Sequence, residues 1–172
     1  VQNSEKRFRA LIENGRDNIS LLAADGALLW ENPSTTSMLG YAPNQFVGRN
    51  LFELMHPDDQ VWTWDLFKQV AQTPGRSQEG IFRLHHNDGS WRWIEAAVTN
   101  LLNEPSVNAI VINYRDISRR VQAEEALATS EAELRALFAS MQDVVLVIDR
   151  EGIYRKIAPT NPALLVKPPE EL

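Results

Sequence analysis

The sequence repeats itself. Ser4-Glu5-Lys6-Arg7-Phe8-Arg9-Ala10-Leu11 lines up with Ser130-Glu131-Ala132-Glu133-Leu134-Arg135-Ala136-Leu137 at an offset of 126. The match runs on without a gap, so that Asp17 falls on Asp143, Gly26 on Gly152 and Pro33 on Pro159. Eight of the thirty positions from Ser4 to Pro33 are identical, and residues 18–24 and 144–150 are both apolar, strand-like runs. A repeat of this period implies one unit of about 115 residues, a connector, and about the first quarter of a second copy. That second piece is too short to bury a core by itself.

Composition sharpens the classes that remain. The chain of 172 residues is 44% hydrophobic, enough for a globular domain rather than a disordered segment. Its net charge of -6 argues against nucleic acid as the main partner. The longest apolar run, residues 144–148, is strand-sized and far from the ~20 residues of a membrane span. No basic-then-apolar leader opens the sequence, and the expectation is a piece of something longer. With zero cysteines, disulfides, thiolate metal sites and cysteine nucleophiles are closed.

Local signals order the first unit. Ser4, Arg7, Phe8, Leu11 and Ile12 read as a short amphipathic helix. Residues 19–24 and 27–30 read as a hairpin around Asp25-Gly26, because Asp-Gly supplies the positive φ of a tight turn. Asn32-Pro33-Ser34 caps a short helix that Gly40 stops, and further short helical stretches are expected over 43–47 and 51–55. His56-Pro57-Asp58-Asp59 opens a longer helix to about residue 72, with proline in the first turn and two carboxylates at the positive end of the dipole. Thr63, Leu66, Phe67 and Val70 form its inward face. Three strands follow over 78–86, 90–100 and 107–115, turned by Asn87-Asp88-Gly89 and by Asn103-Glu104-Pro105-Ser106. The order predicts an α+β fold with a five-stranded antiparallel sheet.

Residues 117–142 carry neither glycine nor proline. Leu127, Leu134 and Met141 lie seven apart, with Ala123, Ser130 and Leu137 at the alternate core position, which predicts a coiled-coil helix. About 25 helical residues would reach about 37 Å.

Three segments in order resemble a PAS domain: His56-Pro57-Asp58-Asp59; Asp88-Gly89-Ser90-Trp91-Arg92-Trp93-Ile94-Glu95; and Tyr114-Arg115-Asp116-Ile117-Ser118-Arg119-Arg120, followed by Ala123-Glu124-Glu125-Ala126-Leu127. The last resembles the family's C-terminal signalling motif, an Asp-Ile-Thr/Ser triplet joining the final strand to an exit helix. The resemblance spans about residues 4–128 and resumes at 130–172 as the truncated start of a second PAS domain. It implies a PAS fold with helices on one sheet face and a long C-terminal signalling helix. It divides the chain into an N-terminal amphipathic helix (1–17), the PAS core (18–116), the connector (117–142) and the second start (143–172). It further implies a cytoplasmic sensory or dimerisation module of sensor histidine kinases, diguanylate cyclases or other regulators, holding a small ligand between sheet and helices or holding nothing. No phosphoacceptor histidine box, nucleotide-binding glycine motif or cyclase signature occurs in the sequence, so no catalytic residues are assigned.

Candidate sites follow from that frame. A ligand pocket between the long helix and the inner sheet face would be lined by Leu54, Leu66, Phe67, Val70, Ile110 and Ile112, with Phe82 or Ile94 contributing. The choice of strand face is the weak point, since a one-residue slip reverses the set. The signalling hinge is Asp116-Ile117-Ser118, with Asp116 capping the exit helix and Arg92 its leading ion-pair candidate. A parallel homodimer would pack through Leu127, Leu134, Leu137 and Met141. For cofactors the sequence is less informative. His56 reads as a helix-start element rather than a haem ligand, and neighbouring His85 and His86 point to opposite strand faces, away from any shared metal. Without cysteine a cysteinyl-flavin is closed. A non-covalent flavin stays open, with Trp30, Trp62, Trp64, Trp91 and Trp93 as stacking candidates. Core or interface is the better reading of Trp91 and Trp93. Glu13, Asp17, Asp25, Glu95 and Asp116 are scattered carboxylates without an acid/base pattern. The function these features support is sensing a small ligand or partner and relaying it to an output domain of the same chain, a histidine kinase first. The alternative is a ligand-free spacer that sets dimer geometry. Nucleic acid and membrane are not expected partners of this stretch.

Overall fold

The computed structural model describes residues 18–140 and 146–157, in two compact units divided after Arg119. The predicted helix over residues 1–17 lies outside them. In the first unit the strands are β1 (Asn18–Leu22), β2 (Leu28–Glu31), β3 (Ser77–His85), β4 (Trp91–Leu101) and β5 (Ala109–Asp116). They form one antiparallel sheet in the order β2-β1-β5-β4-β3, the five-stranded PAS-type arrangement expected.

The β1–β2 hairpin is built from its own turn. Gly26 takes φ +84, Ala23 N–H bonds the Ala27 carbonyl at 2.9 Å, and the Asp25 carboxylate accepts the Ala27 N–H at 3.0 Å. β1 then pairs its other edge with β5, Ser20 opposite Ile112, which joins the two ends of the unit. Helix α1 (Pro33–Leu39) starts on proline and ends at Gly40, whose φ of +73 closes the last turn onto the Thr36 carbonyl. Asn32 occupies its N-cap position, but the side-chain oxygen bonds the Ile19 N–H at 3.1 Å and the Thr35 hydroxyl rather than a helix N–H.

Residues 43–48 are turns, not the helix expected over 43–47. Asn44 sits at φ +59, and a residue in that region interrupts right-handed helix. The stretch expected over 51–55 is a single 3-10 turn, Leu51–Leu54, capped by the Asn50 side chain.

Helix α2 (Pro57–Ala71) is fixed at both ends. At its start the His56 ring nitrogen accepts the Asp58 N–H at 3.2 Å, and Asp59 receives a two-pronged pair from Arg83, 2.8 Å on each prong, plus the Arg83 N–H at 2.9 Å. At its end Asn100 on β4, 1% exposed, donates to the Val70 and Ala71 carbonyls, two of the acceptors a helix end leaves open. Thr63, Phe67 and Val70 face inward as expected, and Leu66 is half-buried.

Strand alternation decides the faces. Asn18, Ser20 and Leu22 on β1, Phe82 and Leu84 on β3, Ile94, Ala96 and Val98 on β4, and Ile110, Ile112 and Tyr114 on β5 are buried. Their helical counterparts Leu39, Leu54, Phe67 and Val70 complete one apolar cluster. At about 25 cal/mol per Å² of apolar area, each large side chain buried here contributes about 1.5–3 kcal/mol.

In the second unit, helix α3 (Ser118–Ser140, whose first two residues belong to the first unit) leads towards a hairpin of β6 (Leu146–Ile148) and β7 (Tyr154–Ile157). The hairpin stands close to where residues 144–150 and 153–154 place it by sequence.

Candidate functional site

The last strand hands over to α3 through three short hydrogen bonds. Ile117 N–H donates to the Trp93 carbonyl at 2.8 Å, and Trp93 N–H donates to the Ser118 hydroxyl at 2.8 Å. Ser118 N–H donates to the Asp116 carboxylate at 2.7 Å. Ile117 and Ser118 are both buried. Asp116 therefore caps the helix start as expected. Its expected ion pair with Arg92 is not made: the Arg92 guanidinium lies 3.5 Å from Asp88, four residues away across the β3–β4 turn, while the Asp116 carboxylate holds Ser118. Sequence reasoning singled out the Asp116-Ile117-Ser118 segment but missed the Trp93 backbone, which sews it to β4.

Beside the junction runs a buried polar chain. The Tyr114 hydroxyl, two residues before Asp116, lies 2.9 Å from the Ser20 hydroxyl and 2.9 Å from that of Thr35, and Thr35 donates to Asn32 at 3.1 Å. Burial pushes the Tyr114 phenol up to about 12. Tyr114 thus ties β5 to β1 and α1. The only sequence signal was its place on the inward face of β5.

The eight pocket candidates come together. Leu54, Phe67, Val70, Phe82, Ile94, Ile110 and Ile112 are buried in one cluster, and Leu66 packs against it. Phe67 contacts Phe52 edge-on at 5.3 Å and stacks on Trp64 at 5.6 Å. A surface depression runs along Asn50, Phe52, Gln60, Val61 and Trp64.

The aromatic strand face is not core. Trp91 is 39% exposed and meets the His56 and His85 rings edge-on at 4.5 and 5.2 Å, while Arg83 lies 5.2 Å over the Trp93 ring. These residues alternate with Ile94 and Ala96, so the pleat turns them to the outer face. His85 and His86 diverge, His85 to the Tyr41 hydroxyl at 2.8 Å and His86 to Asp88 at 2.9 Å. Hydrogen bonds from Ser90 hold Asp88 well below the usual carboxylate range, and the hydrogen bond from the Arg83 guanidinium holds Asp59 below its ordinary value.

Along α3, Leu127, Leu134 and Leu137 are more than half exposed, while Met141 lies outside the described residues. No helix of the described residues is long and apolar enough to cross a membrane.

An antiparallel five-stranded sheet, with helices over one face and a last strand running into a helix, defines a sensory-domain fold. Residues 28–112 match the family model described as the PAS fold, and this stretch of the chain is a PAS domain. A PAS domain is a sensory module rather than a catalytic one. The chain is 28% identical over 151 residues to Sensor protein FixL of Bradyrhizobium diazoefficiens, covering 86% of this chain and 30% of that protein. It is 26% identical over 134 residues to Sporulation kinase A of Bacillus subtilis, covering 76% of this chain and 22% of that one. The chain thus spans less than a third of either relative. The solved PAS domain of a Colwellia psychrerythraea protein superposes with a TM-score of 0.59 at 21% identity, over 67% of this chain and 98% of that structure, which shows the shared fold.

Proposed function

We propose that this chain is the sensing and relay segment of a cytoplasmic regulator, a histidine kinase first, which binds a small ligand or partner at the inner sheet face. A ligand that prefers one arrangement of α2 against the sheet shifts a two-state equilibrium by its differential affinity. The shift passes through Asp116-Ile117-Ser118 into α3, and α3 pairs in a parallel homodimer through Leu127, Leu134, Leu137 and Met141. The observation that carries the reading is the junction: both backbone groups of Trp93 are spent on Ile117 and Ser118, so β4 cannot shift without displacing the start of α3. The kinship with a sensor protein and a kinase supports the output class.

Hydrogen exchange on Ser118→Ala tests the relay. The Trp93 amide and the first turn of α3 should both exchange at least tenfold faster. Acceleration at Trp93 alone, with the helix start unchanged, would remove the coupling. Replacing Leu127 and Leu134 with Asp should give monomers in sedimentation equilibrium, and an unchanged dimer moves the interface off the helix.

The residues from 130 onward we read as the start of a second PAS domain, because β6–β7 reproduces β1–β2 at the 126 offset. Leu22 faces Leu28 and Leu21 faces Trp30 in the first hairpin, as Ile148 faces Tyr154 and Val147 faces Lys156 in the second, with the same irregularity between the two pairs. The spacer alternative draws on the tight core, where Val70, Ile94 and Ile110 are fully buried. Native mass spectrometry separates the two readings: a co-purified small molecule supports the sensor, and a bare chain that still dimerises supports the spacer.

A further inference from the structure

All three histidines of the sequence gather at one corner of the fold, where α2 starts and β3 turns into β4. The Trp91 ring meets two of them edge-on, His56 at 4.5 Å and His85 at 5.2 Å. Two of the three repeat one local pattern, His56-Pro57-Asp58 and His86-Asn87-Asp88. In each, the ring Nδ1 faces both the backbone N–H and the carboxylate of the aspartate two residues on. The two neighbours make opposite demands. An N–H needs a bare nitrogen to bond, whereas a carboxylate needs a protonated one.

The two copies are set differently. At His86 the carboxylate is the nearer group, 2.9 Å from Nδ1 against 3.1 Å for the Asp88 N–H, which suits a proton on Nδ1. At His56 the order reverses, with the Asp58 N–H at 3.2 Å and the Asp58 carboxylate at 3.6 Å. There Nδ1 accepts and caps α2, a role open only to a neutral imidazole with its proton on Nε2. A proton taken from solvent onto Nδ1 removes the cap and leaves the Asp58 N–H without that acceptor. The new Nδ1–H has the Asp58 carboxylate to turn to. His85 faces no such exchange, because its partner, the Tyr41 hydroxyl at 2.8 Å, can either donate or accept.

The groups that face His56 come from three elements. On α2 the Asp58 and Asp59 carboxylates favour the imidazolium, while the N–H groups of the first turn oppose it. On β3 the Arg83 guanidinium opposes it, but is itself bound to Asp59 at 2.8 Å and lies 3.6 Å from Asp58. His85, also on β3, touches the same Trp91 ring, which β4 contributes. The His56 side chain is 20% exposed, so solvent protons reach it.

We propose that His56 is a proton-responsive cap: in the range where imidazole ordinarily titrates, acid exchanges its bond to the Asp58 N–H for one to the Asp58 carboxylate and loosens the first turn of α2. The switch does not depend on what the inner sheet face binds.

NMR on the full chain from about pH 8 to about pH 5 tests it. The Asp58 amide signal should move with the same midpoint as the His56 ring. Protection of the first α2 turn against hydrogen exchange, corrected for intrinsic rates, should fall about fivefold, the loss that a missing cap implies. His56→Asn supplies a cap oxygen that does not titrate in this range, so its first turn should keep its protection throughout. A His56 ring that carries its Nδ1 proton across the whole range, an Asp58 amide that ignores the ring, or an equal loss of protection in a folded His56→Asn variant would each overturn the switch. The ring and the amide are read in the wild-type chain, so the decision stands even if His56→Asn does not fold.

Discussion

The two hairpins of this chain are the same object in different surroundings. Both turn on a glycine, Gly26 at φ +84 and Gly152 at φ +83. Both close with the same backbone bonds, Ala23 N–H to Ala27 and Gly26 N–H to Ala23 in one, Asp149 N–H to Ile153 and Gly152 N–H to Asp149 in the other. The turn carboxylate moves by two positions, from Asp25 to Asp149, which accepts the Glu151 and Ile153 N–H groups. The differences lie outside the hairpin. β1 is paired on both edges, to β2 and β5, whereas β6 and β7 form a two-stranded sheet. A Cβ on Gly26 would sit 3.1 Å from Trp64 and 3.2 Å from Phe52, while one on Gly152 would meet nothing within 4 Å. Local sequence is therefore sufficient to shape this hairpin, and cover by α2 and the Leu51–Leu54 turn is a separate, tertiary contribution.

Removing the cover from within should have the largest effect. Leu22→Ala, at a side chain with 0% exposure, should cost about 3 kcal/mol by lost burial and the cavity left behind, read by urea unfolding. A loss below about 1 kcal/mol would mean the first hairpin depends on its core as little as a free one.

The glycine pair sharpens the comparison. Gly26→Ala should cost about 2–3 kcal/mol, from the left-handed backbone and from pushing Trp64 and Phe52 aside. Gly152→Ala meets only the backbone cost and should leave the main unfolding transition in place, with faster exchange confined to residues 146–157. Equal losses in the main transition would contradict the separation of the two hairpins.

The cover itself hangs on the Asp59–Arg83 pair at the start of α2, which carries Trp64. Asp59→Asn should cost about 2 kcal/mol, as expected when a charged, multiply bonded acceptor is lost. The sign with pH follows. The Asp59 carboxyl is held below its ordinary value of 3.8, so its contribution is full above that value and fades as pH falls through the lower folded value. The wild-type advantage over Asp59→Asn should therefore shrink in acid below about pH 4 and be flat near neutrality. An advantage that grows in acid would exclude this pair as the cause.

The smallest effect is expected at Tyr114. The first hairpin gives it Ser20, and the 126 offset puts Leu146 at the matching position, which has no hydroxyl to offer. Tyr114→Phe should cost about 1 kcal/mol, the usual net worth of such bonds. Because the folded phenol is raised to about 12 from 10, its contribution is complete below pH 10 and is lost as pH rises from 10 through 12. A Phe variant whose stability still falls in step with wild type over that window would place the titration on another group.

Much of this was legible beforehand because it is written in local chemistry. The Asp25-Gly26 turn, the Gly40 stop, the Pro57 start and the alternation that buries Ile94, Ile110 and Ile112 all depend on residues within a few positions of one another. The readings that failed needed geometry across the chain or a single backbone torsion. Residues 43–47 carry no helix-forbidding residue after Pro43, yet Asn44 adopts φ +59 and its N–H goes to Glu31. Arg92 and Asp116 are complementary and close in strand register, yet Asp88 and Ser118 reach them first.

The sequence by itself determined the element order, the two hairpins with their turns, and the position of the exit helix, because turn torsions, caps and side-chain period act over two to five residues. Only the tertiary structure decided which charges meet, as in Asp59 with Arg83, and which hydroxyls join Tyr114. These depend on strand order and on pairs brought together from tens of residues apart. Ion pairs and hydrogen bonds act over a few ångströms, so a change in packing too small to alter the fold is enough to exchange one partner for another.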